Sequence, residues 1–260
     1  MKKTYGMVAA LLCLTSAAGA EVKSKVVDYK QGDTQLQGLL AWDDAAKGKK
    51  PGILVVHEWW GNNEHARNQA LRLAKAGYVA FALDMYGKGK VTTHPKDAQA
   101  FAAEATKDPK TVDARFNAAL EILKASPQVD TSKLGAIGYC FGGGVVLTEV
   151  RKGADLQAVA TFHGALKTDH PAKPGTVKPR ILVMTGEADP MVTADQVEAF
   201  RKEMTDAGAK FEIITYPGAK HGFTNPDAGK AGMDGLAYNA DADKKSWAAM
   251  LATFKQVFSP

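Results

Sequence analysis

The segment Gly138-Tyr139-Cys140-Phe141-Gly142-Gly143 sets a thiol between glycines at positions −2 and +2. A nucleophile at a sharp strand-to-helix turn needs that spacing, because the strained backbone leaves no room for side chains at the flanking positions. An apolar run, Leu134–Tyr139, leads into Cys140, and a second apolar stretch with helical character follows from Phe141 to Val150. A helix that begins at the nucleophile offers free N–H groups and the positive end of its dipole to a thiolate or an oxyanion. The competing reading is a buried structural cysteine, the usual fate of a lone thiol, so the chemistry requires partners.

Those partners are a base and a group that orients it. His221, in Gly218-Ala219-Lys220-His221-Gly222-Phe223, follows the last predicted strand, and Asp189, in Gly186-Glu187-Ala188-Asp189-Pro190, follows the strand before it. Nucleophile, acid, histidine is the chain order of the α/β-hydrolase fold. Glu187 is the competing acid; Asp189 is preferred because Pro190 stiffens its turn. A third constellation, His57-Glu58-Trp59-Trp60-Gly61, starts where the third predicted strand ends. In that fold this loop supplies an oxyanion donor, which makes the backbone N–H groups of Trp59 and Phe141 the candidate pair. His57-Glu58 opens like a zinc-protease helix, but the position four after His57 is Gly61, and no coherent metal set or cofactor motif is present. A buried carboxylate at Glu58 is costly unless paired, which argues for a partner in the site. For Trp59 and Trp60 plain packing is the alternative role. His163 ends a strand at the same edge and is a candidate to line a pocket. Tyr86, Lys88 and Lys90 lie in the loop after the fourth strand, where Lys88 either meets an anionic substrate or is simply solvated. His65, His94 and His170 read as solvated.

The elements that must position these residues alternate. Lys25–Tyr29 and Gln35–Trp42 read as a hairpin turning at Gln31-Gly32-Asp33, and Gly52–His57, Tyr78–Leu83, Leu134–Tyr139, Ala158–His163, Arg180–Thr185 and Phe211–Tyr216 as strands. Helical patterns cover Asn62–Ala76, Pro95–Thr106, Pro109–Ala125, Thr193–Ala207 and Lys244–Val257. Eight strands, six of them in alternating units, predict an α/β fold: a mostly parallel sheet with helices on both faces and an antiparallel N-terminal hairpin. The irregular stretch from Thr224 to Asp243 is long enough to suggest a functional loop.

The 260 residues are 45% hydrophobic and 23% charged, which argues against disorder and coiled coil. Lys2 and Lys3, the apolar run Gly6–Leu14 and Ala18-Gly19-Ala20 read as a signal peptide over residues 1–20, with a single domain over 21–260 and a periplasmic or secreted product. Removing that segment lowers the formal charge from +5 to +3 and leaves Cys140 as the one cysteine, so no internal disulfide is expected. No basic tract argues for nucleic acid, and no later apolar run is long enough for stable membrane insertion.

Taken together, the motifs resemble the dienelactone hydrolase (carboxymethylenebutenolidase) family, over roughly Val22 to Phe258. They are His57-Glu58-Trp59-Trp60-Gly61, Asp84-Met85-Tyr86-Gly87, Gly138–Gly143, Gly186–Asp189 and His221-Gly222-Phe223, in that order. The resemblance implies a Cys140–Asp189–His221 triad. It also implies that Glu58 contacts the resting thiol and takes part in its activation, and that substrate binds among Trp60, Tyr86, Lys88, His163, Phe223 and Asn225. The best-known members carry an arginine shortly after the tyrosine of the Asp-x-Tyr segment, where this chain offers Lys88. They carry a second arginine four residues after the histidine, where this chain has Asn225. Lysine keeps the charge but loses the bidentate fork. The expected activity is hydrolysis of a small ester or lactone by a monomer or small homo-oligomer. The alternatives are an exported redox or stress protein working through the Cys140 thiol, and a non-catalytic ligand-binding protein on the same scaffold.

Overall fold

A computed structural model describes residues 21–259; the expected signal segment lies outside the described residues. Strands β1 (Val22–Gln31), β2 (Thr34–Asp43), β3 (Lys50–Val56), β4 (Val79–Leu83), β5 (Val129–Tyr139), β6 (Ala158–Phe162), β7 (Arg180–Gly186) and β8 (Phe211–Tyr216) form one sheet in the order β1-β2-β4-β3-β5-β6-β7-β8. The β1/β2 and β2/β4 pairs are antiparallel and all others parallel. This is the α/β-hydrolase fold with its antiparallel N-terminal hairpin.

Alternation along the strands sorts the core into two layers. Leu54, Val56, Phe81 and Leu83 point to one face, where they meet α3 (Pro109–Lys124), α4 (Phe141–Arg151) and α5 (Ala194–Asp206). Ile53, Val55, Ala80 and Ala82 point to the other, against α1 (Glu64–Lys75) and α6 (Ala240–Phe258). Strands β4 and β6 are buried along their whole length, which explains why they read as continuous apolar runs without a polar face. α2 (Pro95–Thr106) joins the first layer through Ala105, while its Ala98 packs in a separate small cluster with Trp60, Ala228 and Leu236.

The ends of several elements differ from the sequence expectation, for local reasons. α6 begins four residues earlier than its apolar pattern, because the Asn239 side chain accepts a hydrogen bond from the Ala242 N–H (3.0 Å) and caps a polar first turn. β5 begins five residues earlier, with Val129 and Asp130 paired to Lys50 and Pro51 and a register shift before Gly52. β3 and β6 each stop one residue short, leaving His57 and His163 beyond the sheet. His163 takes a left-handed backbone, φ +42°, which ends the strand.

The chain leaves β3 for β4 on one side and crosses back to β5 on the other. The loops after β3 and β5 therefore diverge and open a crevice at the carboxyl edge, where such sheets bind ligands. Cys140, Asp189, His221, Glu58, Tyr86 and His163 all lie on segments leaving this edge.

On the α4 face, burial pushes Glu149 up to about 8, helped by the neighbouring Asp113 carboxylate and opposed by Lys152. A carboxyl raised from its unfolded value near 4.5 weakens the fold as pH rises past that value, and the full penalty is present above pH 8. Glu149→Gln should therefore stabilise the protein by on the order of a few kcal/mol at pH 8 and by almost nothing at pH 4. Denaturant unfolding at the two pH values checks this, and equal effects at both would refute it.

Candidate active site

Cys140 sits at the turn from β5 into α4 with φ +51° and ψ −115°, a conformation that side chains rarely adopt. Its N–H donates to the Phe162 carbonyl (3.0 Å), and its carbonyl accepts from Gly143 (3.0 Å) and Gly144 (3.3 Å). The flanking glycines are required sterically. A Cβ on Gly138 would lie 2.2 Å from the Gly142 carbonyl oxygen, and one on Gly142 would lie 2.3 Å from that of Val56. A third close approach, Gly143 against Gly164, carries no signal in the five-residue elbow pattern.

His221 Nδ1 lies 2.8 Å from Asp189 Oδ2. The other Asp189 oxygen accepts from the Met191 (2.8 Å) and Val192 (3.1 Å) N–H groups, so the carboxylate is fixed in a tight turn. Glu187 instead accepts from the Gly218 N–H at the surface (3.2 Å). The His221 backbone is clamped by the long loop, donating to Gly235 (3.1 Å) and accepting from Ala237 (3.1 Å). Its Nε2 has no other hydrogen-bond acceptor among the described residues and lies by the Cys140 thiol. Burial alone would push His221 down, but its interactions with Cys140 and with the Asp189 carboxylate outweigh it and hold the ring up to about 10.

Glu58 is buried, and its partner is Asn225, whose Nδ2 donates to Oε2 at 2.6 Å. The Asn225 amide is oriented by its own oxygen, which accepts from the Asp227 N–H (2.9 Å). Asn225 thus meets the carboxylate of Glu58, and no hydrogen bond joins Glu58 to the thiol among the described residues. Trp60 is buried, packs on Trp59 (ring centroids 4.8 Å apart), and lines a cavity of about 180 Å³ with His65 and Asn225. Tyr86 is buried against His57 and Phe141, at centroid distances of 4.7 and 5.3 Å. Its hydroxyl has no partner among the described residues, and burial, followed by the proximity of Cys140 and Asp84, raises its pKa, so it stays a neutral donor. His163 meets Thr224 Oγ1 (2.9 Å) and packs edge-on against His221 (5.0 Å). Burial, then the His221 charge, holds His163 well below the usual histidine range, so it is neutral. Phe223 lies behind His163 in the core. Lys88 is not brought to this group: its ammonium pairs with Asp28 on β1 at 2.8 Å, half-exposed.

Sequence reasoning missed the role of His57. Its Nε2 accepts from the Met85 N–H (3.1 Å), so its proton sits on Nδ1, which donates to the Glu58 carbonyl (2.5 Å). Burial lowers its pKa and keeps this neutral tautomer. The Glu58 carbonyl and the Trp59 N–H belong to one trans peptide and point in opposite directions. Drawing the carbonyl to His57 therefore turns the Trp59 N–H away from it, where it finds no acceptor among the described residues. The His57 ring also stacks on Phe141 (5.9 Å), whose N–H heads α4 and has no intrahelical acceptor. One imidazole thus ties the two candidate oxyanion donors together. Its sequence signal was a histidine closing a fully buried strand end. Asp84 acts alike in the next loop, accepting from the Tyr86 (2.8 Å) and Gly87 (2.9 Å) N–H groups. Among the described residues no group of three or more His, Cys, Asp or Glu side chains is placed to hold a metal ion.

His57→Phe keeps the ring but loses both hydrogen bonds. It should lower kcat for an activated ester by roughly 10- to 100-fold with little change in KM, as loss of an oriented oxyanion donor does. Steady-state kinetics on the folded variant decide this, and an unchanged kcat would remove His57 from the donor geometry. Asn225→Leu should leave Glu58 buried without its partner and cost about 1–3 kcal/mol of stability at pH 7, measured by denaturant unfolding. No loss would mean that Glu58 is solvated.

Comparison with known proteins identifies relatives of this chain. The profile of the dienelactone hydrolase family matches residues 36–258. The solved structure of m3DLH is 38% identical and superposes with a TM-score of 0.87, covering 92% of this chain and 99% of its own. A dienelactone hydrolase-like promiscuous phosphotriesterase from metagenomic libraries is 37% identical with a TM-score of 0.88, covering 93% and 100%. A Synechocystis protein, provisionally named a carboxymethylenebutenolidase, is 28% identical over 90% of this chain and 97% of its own. With the Gly138–Gly143 elbow, the Asp189–His221 pair and the His57–Gly61 loop all inside the matched region, the chain belongs to the dienelactone hydrolase family.

Proposed function

We propose that this chain hydrolyses small neutral esters and lactones by transferring the acyl group to Cys140. The observation that carries this reading is the 2.8 Å contact between His221 Nδ1 and Asp189, which leaves the other ring nitrogen free beside a thiol on a strained elbow. In the resting site the thiolate and a protonated His221 form an ion pair. The thiolate attacks the carbonyl carbon, and the Trp59 and Phe141 N–H groups stabilise the oxyanion. The C–O bond to the alcohol breaks as His221 Nε2 gives it a proton, leaving a thioester. Neutral His221, oriented by Asp189, then takes a proton from water. The hydroxide attacks the thioester, the acid leaves, and the thiolate–imidazolium pair is restored.

The preference for neutral substrates follows from charge. Glu58 is paired with the neutral Asn225, and Lys88 is paired with Asp28 away from the cleft. A substrate carboxylate would enter beside the Glu58 carboxylate, with no lysine or arginine at positions 88 or 225 free to receive it and the one imidazolium already engaged at Cys140.

Cys140→Ala should cut turnover of p-nitrophenyl acetate and of a simple lactone by at least about 1,000-fold while the protein stays folded. Intact mass after rapid quench of the wild type should show one acyl adduct on Cys140. Retained activity in Cys140→Ala would falsify the assignment, and oxidant-dependent modification without turnover would favour a redox role. The acylation step needs imidazolium, so kcat/KM should fall as pH rises through about 10, the value for His221. The ion pair's contribution to stability should be fully present below pH 6.5 and lost over the same rise. Asp189→Asn should move the alkaline limb to lower pH, and an unmoved limb would show that Asp189 does not hold the proton on His221.

A further inference from the structure

A cavity of about 680 Å³ begins at Phe141 and runs along α4 toward α3 and the segment from Ala165 to Thr176. Its volume falls in the range of small-molecule sites. Val112, Phe141, Val145 and Pro171 give it apolar walls, while Lys152, Lys167 and Lys173 stand among its lining residues.

The charges around it do not cancel. Arg151 is tied to Glu203 (2.8 Å), and Lys152 to Asp113. Glu149, beneath the groove on α4, is pushed up to about 8 by burial and is neutral at pH 7. Lys167 and Lys173 are exposed and form no ion pair among the described residues. Glu203 and Asp113 are thus paired and Glu149 is protonated; Asp169, between the two lysines in sequence, is exposed without an ion pair among the described residues, and against this one carboxylate stand two free ammonium groups at the rim. An apolar channel with unpaired cations at its edge matches a ligand with a hydrocarbon body and one anionic head. The body leaves water for the walls, and the head stays partly hydrated at the rim, so no bare charge is buried.

We propose that this groove is a binding site for an apolar monocarboxylate, with the chain lying along α4 and the carboxylate at Lys167 and Lys173. The site stands apart from the thiol: it requires no reaction at Cys140 and does not depend on the proposed hydrolysis.

Titration calorimetry with sodium decanoate as the probe tests it on the whole protein. One decanoate should bind per chain, and Cys140→Ala should bind it with unchanged affinity. Thr148→Trp, which fills the groove from an α4 position, should weaken binding at least tenfold. Lys167→Glu/Lys173→Glu should weaken it to a similar degree, and these two exposed positions keep the test intact if Thr148→Trp fails to fold. Decanol should bind at least tenfold more weakly than decanoate. Absence of decanoate binding would overturn the proposal, including the case in which a second copy of the chain covers the groove. So would binding that ignores the lysine substitutions, equal affinity for decanol, or loss of binding when Cys140 is alkylated.

Discussion

The first turn of α4 lies so close to the end of β3 that only glycine fits between them. Gly142 faces the Val56 and His57 carbonyls at distances that leave no room for a Cβ, and Gly138 faces Gly142 in the same way. This contact forces Cys140 into its left-handed backbone, because the chain must turn within one residue from a buried strand into a helix pressed on the neighbouring strand. It also fixes the distance between the two loops that carry the candidate oxyanion donors. The helix start supplies one free N–H, and the loop after β3 supplies the other. His57, stacked on Phe141 and bonded to the Glu58 carbonyl, locks the relation between them.

Three buried histidines near this contact carry different protons for physical reasons that can be separated. His57 and His163 lie in fully enclosed positions, and desolvation keeps both neutral. His221 is also enclosed, but it lies between Cys140 and the Asp189 carboxylate, and their effect exceeds the burial penalty. Neutral neighbours matter to the charged ring. A second cation at His163, 5.0 Å away, would oppose the imidazolium, and its low pKa removes that competition.

The sheet and the grouping of Cys140, Asp189 and His221 at its edge were legible because their signals are local. Buried parallel strands read as short apolar runs, and the nucleophile, acid and histidine each follow a strand in a fixed order. The element ends were less legible, because a cap such as Asn239 extends a helix into residues with no apolar pattern. Long-range pairings could not be read. Asn225 and Glu58 are 167 positions apart, and nothing local in either segment points to the other. The lysine in the loop after β4 turned to Asp28, 60 positions earlier, because the β1–β2 hairpin folds back beside that loop. His57 was visible as a residue but not as a hinge of hydrogen bonds, since its role depends on which ring nitrogen meets Met85.

The polar groups of the cleft fall into two sets, and the division bears on recognition. Asp84, Asp189, Asn225 and Glu58 have their hydrogen bonds met within the protein, and they hold loops in place. The Tyr86 hydroxyl and the Trp59 N–H have no acceptor among the described residues, and His221 Nε2 has none beyond the Cys140 thiol, although unpaired buried polar groups are ordinarily costly. The groups left open are potential donors, and the buried carboxylates Glu58, Asp84 and Asp189 are already occupied. Such a set suits a carbonyl oxygen, which accepts hydrogen bonds and gains negative charge as it reacts. It gives no cationic fork to a carboxylate, which is why the proposed specificity falls on neutral esters and lactones, with anions left to the groove beyond Phe141.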